Sequence, residues 1–255
     1  MKHFCHRIPL AILLCLSNVL LYAQEKRSKF ISVEAGGDIM FASSNDHNYI
    51  RGEMISYYNG QLTANLEGSI YKGYFGVHGE IFSLNNKFSI SGGLRLSHIK
   101  SSIDKENSWG SASDSFYFLD RQDETNIAYF KIRRINQVSN YIGVPLELRV
   151  YPFRYRLFTV YFKLGIEFNY KINSKTTIAF KDENMNQFND DVVSKFGKPE
   201  SLFVAGCTGA GVKVGRPDKI NLRFEITPSV YTERISSIVN AKAAFGAQIN
   251  VQIPF

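Results

Sequence analysis

Phe158-Thr-Val-Tyr-Phe-Lys-Leu-Gly-Ile-Glu-Phe-Asn-Tyr170 alternates without a break. Phe158, Val160, Phe162, Leu164, Ile166, Phe168 and Tyr170 share one parity, and Thr159, Tyr161, Lys163, Gly165, Glu167 and Asn169 share the other. Period two over such a length is the signature of a strand with two chemically different faces. Seven further segments read the same way: Ile31–Phe41, Tyr71–Ile81, Phe88–Ser97, Ile142–Val150, Leu202–Val214, Ile220–Val230 and Ala243–Phe255.

Every acidic or basic residue inside these eight segments lies on the less apolar parity. The acidic ones are Glu34, Asp38, Glu80, Glu147, Glu167 and Glu225; the basic ones are Lys72, Arg95, Arg149, Lys163, Lys213 and Arg223. Segments of this length suit a tilted bilayer crossing, with apolar residues against lipid and polar ones in the lumen. A soluble sandwich also alternates, but turns its apolar face inward. Connection lengths separate the two architectures. Between the segments they run 29, 6, 44, 7, 31, 5 and 12 residues, the long and short alternation of external loops and periplasmic turns. Ser83–Lys87 and Gly215–Lys219 have turn composition. The expected fold is an all-β, eight-stranded antiparallel up-and-down transmembrane barrel. Its six acidic and six basic luminal residues read as a closed, paired network, because eight strands enclose an interior that side chains fill.

Composition agrees. With 44% hydrophobic and 14% aromatic residues in 255, the chain is too apolar to be disordered. Residues 1–23 read as a cleaved signal peptide: Lys2 and Arg7 precede the apolar Ile8–Tyr22, and Ala23 ends it. Residues 24–255 are then the barrel domain. The net charge of +7 includes Lys2 and Arg7, and with no long basic block in the remainder nucleic acid is not an expected partner. Of Cys5, Cys15 and Cys207 only the last survives cleavage, so neither an internal disulfide nor a cysteine metal site is available. No later segment is apolar enough for a spanning helix.

The 44-residue connection holds two apolar stretches, Phe116–Leu119 and Ile127–Phe130, which read as a hairpin extending the third and fourth strands above the membrane. In a ten-stranded alternative Lys131, Arg133 and Arg134 would put charges of both parities against lipid. In the eight-stranded reading these three residues sit near the outer leaflet, where lipopolysaccharide phosphates attract them.

Asn140-Tyr-Ile-Gly-Val-Pro-Leu-Glu-Leu-Arg-Val-Tyr-Pro-Phe153 resembles the central strand of the PorT-like outer-membrane β-barrel family of Bacteroidota. Glu34–Asp38, Gly76–Glu80 and Gly209–Lys213 support the likeness, which covers about residues 30–255. The resemblance implies an exported eight-stranded barrel; PorT itself belongs to a secretion and gliding apparatus, and no motif here carries that role over. Phe255, preceded at alternate positions by Ile253, Val251 and Ile249, resembles the C-terminal signal read by the outer-membrane assembly machinery, an edge strand suited to strand addition.

Catalysis would have to draw on His47, His78 and His98. Ser97-His98, with Ser101 and Ser102 nearby, is the best placed set, yet alternation puts Ser97 and His98 on opposite faces. His78 is expected in the luminal network beside Glu80. Asp182–Asp191 offers oxygen ligands but lacks the spacing and turn glycine of a calcium loop, and reads as a solvated acidic loop. No enzyme, cofactor or metal is expected. The expectation is a barrel in the outer membrane of a Gram-negative bacterium that acts through its external loops or rim in surface interaction or envelope structure. Its partners are lipid, lipopolysaccharide, the assembly machinery and either an extracellular ligand or a secretion complex. A secretion subunit and a small-solute channel are the alternatives.

Overall fold

A computed structural model describes residues 29–44, 50–51, 54–57, 60–63, 66–83, 87–105, 115–121, 127–216, 219–231 and 235–255. The expected signal peptide and His47 lie outside them. Eight strands close into a ring: β1 Lys29–Ser44, β2 Leu66–Ser83, β3 Phe88–Lys105, β4 Ile127–Tyr155, β5 Phe158–Phe180, β6 Leu202–Val214, β7 Asn221–Tyr231 and β8 Val239–Pro254. Each pairs antiparallel with its chain neighbours, and β8 pairs with β1. The eight-stranded reading therefore holds.

Following paired residues round the wall leads from Phe30 through Glu80, Ser91, Glu147, Gly165, Cys207, Ser229 and Ala244 back to β1 at Met40. That stagger of ten residues tilts the strands by roughly 35–45° and leaves an interior that side chains can fill.

The outward parity carries large apolar side chains on every strand, among them Ile39, Phe75, Leu94, Leu146, Leu164, Phe224 and Phe245, each more than half exposed except Phe224 at 49%. All twelve charged residues of the opposite parity are buried. Toward the long-loop end the pattern inverts. Ile70, Ile99, Ile103, Ile132, Ile135 and Phe180 now point inward, and His98, Lys100, Arg134 and Lys175 point outward. This part of the wall is built as a water-soluble protein is, with its apolar core inside.

The inversion explains why β2, β3, β4 and β5 outrun their sequence-predicted spans: the search followed apolar residues on one parity and stopped where they changed sides. Register shifts add to the change. Tyr141 pairs with Lys171 but Asn140 with Asn173, so Ile172 bulges out and reverses the parity of β5 above it. A second shift at Arg133 lets charges of both parities in Lys131, Arg133 and Arg134 face outward. The expected hairpin is present: Phe116–Arg121 pairs with Ile127–Ile132 of β4, on the side that β3 occupies below it.

The apolar cluster inside this end joins Met40, Ile99, Ile103, Phe118, Phe130, Tyr141, Phe203 and Ile238. Asp182–Asp191, read from sequence as a solvated loop, is helical instead. A 3-10 turn at Glu183–Phe188 runs into α1, Asn189–Lys195, and the Asp182 side chain accepts from the Asn184 N–H at 3.0 Å. Glu183, Asp190 and Asp191 stay outside, while Val192 and Phe196 enter the core and Phe196 packs 5.7 Å from Phe118. Gln137 ties the next loop down, donating to Ser237 Oγ at 2.7 Å and accepting from Ser236 Oγ at 3.0 Å.

Two glycines make room for luminal tyrosines on the neighbouring strand. Gly36 pairs with Tyr74 and Gly211 with Tyr161, and a methyl group at Gly211 would lie 2.6 Å from Tyr161 Cζ. Gly211→Val should therefore displace the ring and cost about 1–3 kcal/mol. The urea midpoint of the refolded barrel measures this, and Tyr161→Ala should cost less in that background than alone.

Candidate functional site

The barrel wall brings the twelve luminal charges into three linked groups. Near the short-turn end Glu80 receives Arg223 Nη1 at 2.6 Å and Nη2 at 2.9 Å, Tyr151 OH at 2.9 Å, Gln252 Nε2 at 2.8 Å and the Ser89 hydroxyl. Lys213 lies over the Phe30 ring, 4.8 Å from its centre. At mid-height Arg149 and Lys163 share Glu147 and Glu225: Arg149 binds Glu147 and stands 3.8 Å from Glu225, while Lys163 binds Glu225 and stands 3.4 Å from Glu147. Tyr161 OH donates to Glu225 at 3.0 Å.

Above them Arg95 joins three carboxylates, Glu34 at 2.6 Å, Glu167 at 2.5 Å and Glu147 at 3.5 Å. Lys72 reaches Glu167 at 3.4 Å, and Asp38 accepts from Tyr231 OH at 3.3 Å. In an apolar surround such charges persist only when paired. The local reason for this geometry is glycine. Arg95 pairs with Gly76 on one side and Gly143 on the other. A methyl group at Gly76 would lie 2.7 Å from Glu34 Oε1, and one at Gly143 would lie 2.8 Å from Glu167 Oε1. Both carboxylates reach the guanidinium by lying flat over bare backbone.

His78 also enters the network, but its partner is Glu34 at 2.8 Å and not Glu80; Glu80 is already saturated by donors from β3, β4, β7 and β8. A reading confined to charged residues missed the phenols of Tyr74, Tyr151, Tyr161 and Tyr231. Tyr74 and Tyr161 were visible as aromatics on the polar parity. Ligand atoms of Glu34, His78 and Glu147 lie within 4.8 Å of one another. Arg95 already holds an oxygen of both carboxylates, so this grouping fits a guanidinium better than a metal ion.

Ser97 is buried and His98 faces out, so the two stand on opposite faces; Ser101 and Ser102 are buried too. His98 Nδ1 meets Asn140 Oδ1 at 2.8 Å. Lys131 lies 5.3 Å from the Tyr117 ring centre, and Arg134 pairs with Asp104 at 2.6 Å. Ile249, Val251, Ile253 and Phe255 all face outward. β8 is paired on both sides, with β1 and β7, so the edge needed for strand addition exists only before the ring closes.

Among solved structures, the chain is similar to the outer membrane protein OprG from Pseudomonas aeruginosa, with 11% identity over 89% of this chain and 93% of that one and a TM-score of 0.40. It is also similar to the transport unit of the autotransporter AIDA-I from Escherichia coli, with 9% identity over 96% and 97% and a TM-score of 0.28. No protein-family model and no curated protein matches the sequence.

Proposed function

We propose that this protein is a non-enzymatic outer-membrane β-barrel of a Gram-negative bacterium, with a closed, charge-paired lumen, acting through its external loops and rim in surface interaction or envelope structure. The observation that carries this reading is the inside-out wall. Large apolar side chains face outward on all eight strands while the twelve charged residues are buried inside, an arrangement suited to hydrocarbon and not to water. Closed barrels cross bilayers because no backbone group is left unpaired.

The ion-paired groups and the apolar cluster at the loop end succeed one another along the axis, which supports a lumen blocked twice by different chemistry. Ile249, Val251, Ile253 and Phe255 supply the outward residues of a strand that the assembly machinery would recognise, and Lys131, Arg133 and Arg134, exposed at and just below the external hairpin, give the outer end of β4 a basic face. The Asn140–Phe153 segment lies within β4, and its sequence resemblance to PorT-like barrels of Bacteroidota is what suggests a second reading as a subunit of a secretion apparatus.

The test is planar-bilayer conductance of the refolded barrel, after its gel mobility has been seen to change on boiling. No discrete steps above background are expected. Reproducible steps that change when Glu147 or Arg149 is neutralised would make the protein a small-solute channel instead.

A further inference from the structure

The outward face of β3, β4 and β5 carries a feature that the luminal network does not use. Where the apolar belt ends, at Leu96 on β3, Ile142 on β4 and the bulged Ile172 above Tyr170 on β5, the next outward residues form one hydrogen-bonded row. His98 Nδ1 donates to Asn140 Oδ1 at 2.8 Å, and Asn140 Nδ2 donates to Asn173 Oδ1 at 2.7 Å. These bonds run in one direction, leaving the Asn173 amide N–H groups and His98 Nε2 as the polar ends of the row. Directly above it Lys100 and Lys175 both pair in register with Val138. The two lysines flank that valine, about 10 Å apart across two strand spacings, and both are exposed.

No carboxylate among the described residues pairs with either lysine, whereas Arg134 higher on β4 is engaged by Asp104. Arg134 also stands six residues above Asn140, roughly 20 Å along the strand and about 15 Å in height once tilt is taken in, which lifts it beyond a headgroup layer about 5–7 Å deep whose base is at Ile142. Lys100 and Lys175 are instead the first outward cations above the belt on β3 and β5.

We propose that this row is a binding site for the phosphate of an outer-leaflet glycolipid, held by Lys100 and Lys175 with the His98–Asn140–Asn173 row as its polar floor. The inference rests on the embedded-barrel reading and moves the lipid contact from Lys131, Arg133 and Arg134 to the rim. Exposed lysines at a membrane surface act additively on an anionic headgroup, so Lys100→Gln with Lys175→Gln should weaken binding by roughly thirtyfold.

The experiment titrates the refolded barrel in detergent with bisphosphorylated lipid A and with its dephosphorylated counterpart, counting bound lipid by native mass spectrometry. The wild type should prefer the phosphorylated lipid, the double variant should lose that preference, and a Lys131→Gln, Arg133→Gln, Arg134→Gln variant should keep it. Equal binding by the wild type and the double variant, or no preference for phosphate, overturns the site. Flotation of the same preparations with phosphatidylcholine vesicles separates the two levels of inference. A wild type that fails to float refutes embedding and the site together, while one that floats without discriminating phosphate refutes the site alone.

Discussion

Arg95→Leu is expected to cost the barrel about 3–5 kcal/mol, the range found when one partner of a buried ion pair is removed. Its guanidinium, only 4% exposed as a residue, is the shared cation of Glu34, Glu167 and Glu147. Leucine fills part of the volume but, among the described residues, leaves Glu34 with His78 alone, Glu167 with Lys72 alone, and Glu147 with Arg149 and Lys163, so carboxylates that shared a cation now repel at low dielectric, where repulsion between like charges is strongest. The urea midpoint, followed by the gel shift on boiling, should fall or the folded band should vanish. Adding Glu34→Gln and Glu167→Gln removes two of the stranded charges and should restore much of the loss. An unchanged midpoint in the single variant would show that the network contributes nothing to stability. Arg134→Ala is the control: its pair with Asp104 has an arginine side chain 55% exposed, and such pairs contribute about 0–1 kcal/mol.

The second large effect lies on the opposite face. Leu164 projects outward near mid-height, and Ala179 projects outward on the same strand above the Ile172 bulge. Leu164→Arg should destabilise the barrel in vesicles by about 2–4 kcal/mol, the penalty for a charge at the bilayer midplane. Ala179→Arg should stay within about 0.5 kcal/mol, as surface substitutions in water do. Equal effects at the two positions would refute the placement of the bilayer along β5.

Much of this was legible from alternation alone. β6 runs from Leu202 to Val214 as read, and the inward parity of all twelve charges followed from period two, because a strand side chain has only two faces to choose from. What alternation could not reveal was the change of solvent along a single strand. Ile99 and Ile103 lie on the same parity as Arg95, and a reader who expects polar residues there sees only a pattern that fails. Bulges compound the difficulty, since one extra residue such as Ile172 exchanges the faces without leaving a compositional mark. Asp182–Asp191 keeps its carboxylates in solvent as read, but it is helical and not a loop, because Met185 and Phe188 within it and Val192 and Phe196 just beyond it dock on the core. In the lumen the carboxylates were visible, but Gly76 and Gly143 looked like generic barrel glycines until their contacts with Glu34 and Glu167 were seen.

The level at which the wall changes from lipid-facing to water-facing also decides which membranes the protein can inhabit. Phe158 to Tyr170 spans roughly 40 Å along the strand, and tilt reduces this to about 30 Å of height. That height is independent of strand length, for β4 and β5 continue well past it. A bilayer several ångströms thicker would draw the Asn140 row and its lysines into hydrocarbon, and a thinner one would bare Leu96 and Tyr170 to water. Lipid composition is therefore expected to sort this barrel through hydrophobic matching.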